Sequence, residues 1–94
     1  MTVRWTPTAL RDLASLHSYI ADYNPGAASA AVGTVVAGIE ALAQHPEMGR
    51  RGRVAGTREL VVAPSVVAYR ARKTSIDVLA IIHGARRWPD SFDC

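Results

Sequence analysis

The chain has 94 residues, 49% of them apolar, and a formal net charge of +3. That is one domain (residues 1–94) with enough apolar residues for a single core and too many for a disordered chain. Its one cysteine, Cys94, rules out an internal disulfide and has no metal-ligand spacing, and His17 and His45 lack a third ligand at metal spacing, so no metal or other cofactor is expected.

Thr2–Thr6 is short and β-prone, with Val3 and Trp5 alternating with Arg4. Thr6 followed by Pro7 is a helix start, a hydroxyl cap before proline at the first helical position. Leu10, Leu13, Leu16 or His17, and Ile20 then recur at spacings of three and four, which predicts a helix with one apolar stripe. Asn24-Pro25-Gly26 interrupts it, and Asn24 caps a second predicted helix. There Val32, Val35, Val36, Ile39, Leu42 and Ala43 share a face, and small residues, Gly33 and Gly38 among them, permit close approach to the first helix. The short break predicts an antiparallel helical hairpin.

His45-Pro46 ends the second helix. Met48–Gly56 is a basic loop with Arg50, Arg51 and Arg53 among three glycines, too glycine-rich for a helix and without strand alternation. Three strands follow: Arg58–Ala63, Val66–Arg72 and Ile76–His83, with turns at Pro64-Ser65 and Lys73–Ser75. In the middle strand Val67, Tyr69 and Ala71 share one face, Arg70 and Arg72 the other. Strict alternation in the last strand puts Ile76, Val78, Ala80 and Ile82 on one face and Asp77, Leu79, Ile81 and His83 on the opposite one. Leu79 and Ile81 would then lie away from the helices and need cover from the tail or a partner. The predicted fold is α+β, in the order βααβββ, with the hairpin packed on a mostly antiparallel sheet.

Residues 1–49 hold Arg4 and Arg11 against Asp12, Asp22, Glu40 and Glu47, a net −2; residues 50–94 hold nine basic residues against Glu59, Asp77, Asp90 and Asp93, a net +5. A basic half suits nucleic acid or an acidic protein segment, or is simply a solvated face. Ten of the eleven basic residues are arginine, which forks onto phosphate or carboxylate, although a GC-rich genome would produce the same bias. No apolar run approaches the ~20 residues of a membrane span, and Met1–Trp5 lacks a signal-peptide core. The expected setting is the cytoplasm, with no membrane association.

The order of elements, with Pro46-Glu47-Met48-Gly49, Arg58-Glu59-Leu60, Ala68-Tyr69-Arg70, Ile76-Asp77-Val78-Leu79 and His83-Gly84-Ala85-Arg86-Arg87-Trp88, resembles the RelE/ParE toxin superfamily of bacterial toxin–antitoxin modules. The resemblance runs over nearly the whole chain. It implies the fold just described, and a small antitoxin partner encoded nearby whose C-terminal region wraps the toxin in a hetero-oligomer. Leu79 and Ile81, with Arg70, Arg72, Arg86 and Arg87, are the expected antitoxin contacts.

The superfamily divides on mechanism. RelE-like members bind in the ribosomal A site and cut mRNA without a metal. That chemistry needs a base at the ribose 2′-hydroxyl, an acid for the leaving 5′-oxygen, and cations at the phosphorane. His83, Arg86, Arg58 and Arg70 are the residues available for it. The tail after Arg86 has no tyrosine, and Trp88 and Phe92 stack but transfer no proton. The set is therefore incomplete, and the resemblance points to the ParE-like branch, which poisons DNA gyrase. The alternatives are RelE-like mRNA cleavage and a non-toxic antitoxin-binding domain.

Each candidate also has a structural reading. His83 reads first as a histidine hydrogen-bonded at a strand end. Arg86 could pair with Asp90, Arg58-Glu59 could anchor a loop, and Arg50, Arg51 and Arg53 could be solvated loop charge. Tyr69, Trp5 and Trp88 read as packing residues.

Overall fold

A computed structural model describes residues 1–83 and 88–92. The elements in chain order are β1 (Thr2–Trp5), α1 (Pro7–Ala21), α2 (Pro25–Leu42), β2 (Arg50–Arg51), β3 (Arg58–Val62), β4 (Ser65–Ala71) and β5 (Ser75–His83). Thr6 caps α1, its hydroxyl accepting from Ala9 N–H at 3.2 Å, and Asn24 caps α2, accepting from Ala27 N–H at 3.1 Å. Each helix carries its proline in the first turn, where a missing N–H costs nothing.

The strands form one sheet in the order β1-β5-β4-β3-β2. β1 runs parallel to β5 and every other pairing is antiparallel. The α+β class, the helical hairpin and the three-strand meander all stand as expected. The basic loop differs, because Arg50 and Arg51 form a short strand against Glu59 and Arg58. Side-chain charge rather than apolar alternation drives that pairing, so periodicity gives no sign of it.

The main core lies between the helices and the sheet. Ala9 and Leu16 of α1, Val35 and Ile39 of α2, Val67 of β4, and Val78 and Ile81 of β5 pack together, with Trp5, Leu13, Ile20, Leu60 and Val62 around them. Leu42, Tyr69 and Ile76 extend this layer. Leu10, expected in the α1 stripe, is half exposed, and His17 is exposed. α2 is long and apolar enough, by length and composition alone, to cross a membrane, but its Val35-Ile39-Leu42 face lies in the core. Gly38 approaches β3 rather than α1: a Cβ there would meet the Val62 and Leu60 side chains at 3.3 and 3.4 Å. Gly33 has open space in front of it.

The largest departure from expectation is in β5. Tyr69 pairs with Val78, but Ala68 pairs with Ala80, so Leu79 is an extra residue and β5 carries a bulge. An inserted residue reverses the alternation beyond it. Ile81 joins Val78 in the helix-side core, while Ala80 and Ile82 face outward with Ala68. Leu79 and Ile81 are not an open apolar patch; they are 0% and 1% exposed. Trp88 and Phe92 of the tail cover the residues that do face outward.

Two side chains of the α1 region hold the bulge. Thr6 Oγ1 donates at 2.8 Å to the Val78 carbonyl, with the Leu79 carbonyl at 3.2 Å. Asp12 Oδ2 accepts from Ile81 N–H at 3.0 Å. β1 ends its pairing at Val78, so β5 beyond that point would otherwise show unpaired backbone groups along its edge.

Candidate functional site

The face of the sheet away from the helices carries two arginine–carboxylate clusters. Glu59 on β3 is buried there and holds two arginines. Arg50 donates from Nε and Nη2 at 3.1 and 3.0 Å, and Arg53 donates from its backbone N–H at 2.8 Å and its Nε at 3.2 Å. Burial pushes the Glu59 carboxyl up, but the Arg53 and Arg50 hydrogen bonds outweigh it and leave it below its ordinary value. Arg53 also lies over the Trp88 ring, 3.9 Å from its centroid, a cation–π contact that ties loop and tail together.

Asp77 on β5 makes a second cluster. Arg72 Nε donates to it at 2.6 Å, Ser75 Oγ donates at 3.1 Å, and Arg4 from β1 stands at 3.9 Å. Here too burial raises the carboxyl, and Arg72, Ser75 and Arg4 more than reverse the effect. Arg70, opposite Asp77 in the ladder, donates to the Gly56 carbonyl at 3.4 Å. Next to this charged area Val61, which is 53% exposed, pairs with Val66.

The other candidates lie elsewhere. Arg58 pairs with Tyr69, so it shares the helix side of the sheet, and its Nη1 donates to the Gly49 carbonyl at 2.9 Å. His83 pairs with Ser65 at the opposite end of β4, with Nδ1 3.3 Å from Ser65 Oγ and its ring 5.4 Å from that of Tyr19. The ladder partners of Arg58 and His83, Tyr69 and Ser65, are four positions apart along β4, about 13 Å at strand rise. Arg70 is on the other face. Arg58, Arg70 and His83 are thus not brought together around one point. Arg86 and Arg87, and the expected Arg86–Asp90 pairing, lie outside the described residues. Among the described residues no group of three His, Cys, Asp or Glu side chains is placed to hold a metal.

Sequence reasoning missed the Arg50 and Arg53 clamp on Glu59 and the Arg72 clamp on Asp77. Two acids standing in strands otherwise rich in arginine and apolar residues were the available signal, because a carboxylate is buried only with partners.

An N-terminal strand and a helical hairpin packed on a mostly antiparallel five-stranded sheet is the fold of the RelE/ParE toxins. A chromosomal ParDE toxin–antitoxin system from P. aeruginosa contains a chain with TM-score 0.78 and 27% identity, the match covering 89% of this chain and 96% of that one. The toxin–antitoxin complex RelBE2 from Mycobacterium tuberculosis contains one with TM-score 0.66 and 27% identity, covering 87% and 95%.

In sequence, a Sinorhizobium fredii protein named as a toxin, Y4kP, is 38% identical over 93% of this chain and 92% of its own. Toxin RelE2 of Caulobacter vibrioides is 36% identical over 89% and 96%. The model of the family described as ParE toxin of type II toxin–antitoxin system, parDE, matches residues 3–88. The chain belongs to that family and is the toxin of a type II toxin–antitoxin system.

Proposed function

We propose that this toxin is ParE-like: it inhibits DNA gyrase, acts in the cytoplasm, and is silenced by a cognate antitoxin encoded beside it. The observation that carries this reading is the dispersal of the residues mRNA cleavage would need. His83 is engaged with Ser65 and Tyr19, Arg58 with the Gly49 carbonyl at the far end of the sheet, and Arg70 with the loop on the other face. A proton-transfer group and its cations must act within hydrogen-bond reach of one phosphate. A gyrase inhibitor has no such requirement.

For the antitoxin, the outer sheet face takes the place of Leu79 and Ile81. Val61 and Val66 offer apolar contact, and Arg70 and Arg72 offer charge to an acidic amphipathic segment that orders on binding. Arg86 and Arg87 remain proposed contacts.

Purified toxin added to a gyrase supercoiling reaction should accumulate cleaved DNA, and the antitoxin should prevent it. No effect at high toxin excess would reject the gyrase reading. The Caulobacter relatives named RelE2 and RelE3, the latter 32% identical, favour a second reading, ribosome-dependent mRNA cleavage. That reading predicts new mRNA ends after induction, lost in His83→Ala. Arrested growth with unaltered mRNA ends would exclude it.

A further inference from the structure

The β2–β3 ladder is two residue pairs long. One pair, Arg50 with Glu59, is an ion pair at 3.0 Å. The other sets Arg51 directly opposite Arg58. Like charges facing each other across a ladder weaken it, and neither buried carboxylate of the outer sheet face pairs with these two. Glu59 is taken by Arg50 and Arg53, Asp77 by Arg72 and Arg4. Arg51 makes no ion pair among the described residues, and Arg58 uses only Nη1, on the Gly49 carbonyl.

The two arginines line an open cavity of about 540 Å³ with Gly52, Gly56, Thr57 and Ala71. No acidic side chain lines it. The loop that shapes it is tied back on itself. Gly52 N–H donates to the Thr57 carbonyl at 2.8 Å, Thr57 Oγ1 donates to the Val54 carbonyl at 2.7 Å, and Gly56 takes a φ of 77°. The Gly49 bond holds the Arg58 guanidinium before any ligand arrives, which lowers the ordering cost of binding.

We propose that Arg51 and Arg58 form an anion pocket that takes a phosphodiester group of a nucleic-acid backbone. Two guanidinium forks suit the oxygens of a phosphate. The wall between them is glycine, alanine and threonine, without the apolar slot a peptide anchor would fill. The inference stands on this geometry and does not depend on gyrase being the target; oligonucleotide binding tests the one and supercoiling the other.

The test is fluorescence anisotropy of the full chain with a short labelled DNA duplex and with single strands of DNA and RNA, across a salt series. Arg51→Ala should weaken binding about tenfold and lower the salt slope by about one. Lys73→Ala, an exposed turn charge, is the control and should change little. Which oligonucleotide binds best identifies the source of the phosphate. Because Arg51 faces a like charge, the melting temperature of Arg51→Ala should be unchanged or slightly higher, so weaker binding cannot be put down to misfolding. Equal affinity of wild type and Arg51→Ala would overturn the proposal. So would oligonucleotides failing to bind while inorganic phosphate or an acidic peptide binds in an Arg51-dependent way.

Discussion

Tyr69 organises the end of the core through a single oxygen. It is 0% exposed; its hydroxyl donates to the Pro46 carbonyl at 2.7 Å and accepts from Gly49 N–H at 2.9 Å. Burial holds the phenol above its ordinary pKa, with the Gly49 N–H and the Arg58 charge working the other way. Position 49 has to be glycine for this, since a Cβ would fall 2.5 Å from the hydroxyl and 2.9 Å from the Glu59 carbonyl. Tyr69→Phe keeps the ring but strands a buried donor and acceptor, and should cost about 1–3 kcal/mol in a urea melt. A melt unchanged from wild type would mean that the loop is not held by this oxygen. Strand alternation was enough to place the Tyr69 ring in the core. Its two partners lie 23 and 20 residues away in sequence and left no local signal.

Among the elements, the helices follow their local chemistry closely. Thr6-Pro7 and Asn24-Pro25 start them, and Val35, Ile39 and Leu42 of the periodic α2 face reach the core while Val32, Val36 and Ala43 stay half-buried. The two α2 glycines separate propensity from packing. Gly33 faces open space, so Gly33→Ala should recover up to about 1 kcal/mol of helix propensity, roughly 4–8 °C in melting temperature. Gly38→Ala should gain less, because its Cβ would press on Val62 and Leu60. Equal gains at both sites, read by thermal melts, would contradict that packing. β5 is the element whose faces alternation misassigned. One inserted residue turned Ile81 into the core and left Ala80 and Ile82 to the tail.

At the scale of the molecule, charge couples stability to pH. Glu59 and Asp77 are buried carboxylates whose folded pKa values lie below their ordinary ones. Such groups bind fewer protons folded than unfolded, so their stabilisation is complete above the unfolded carboxylate value. It is lost as pH falls through the folded one. The melting temperature should therefore be flat near neutrality and drop below about pH 4. Glu59→Gln should melt lower at neutral pH and show a shallower acid drop. An identical acid profile for the variant would show that Glu59 is not one of the groups responsible.

The linear order of residues by itself determined the fold class, the helix starts, the three-strand meander and the family resemblance. Caps, turns and periodicities act over a few residues, and a resemblance needs only motifs in order. Tertiary structure decided which faces are open and which charges are spent. The β5 bulge is held by Thr6 and Asp12 from across the molecule, and the short β2 strand forms because Glu59 draws in Arg50 and Arg53. Both depend on groups brought together only when the sheet closes. They bury Leu79 and Ile81 and set Arg51 opposite Arg58 with no ion pair to either among the described residues, while the register of the meander keeps Arg58 away from His83.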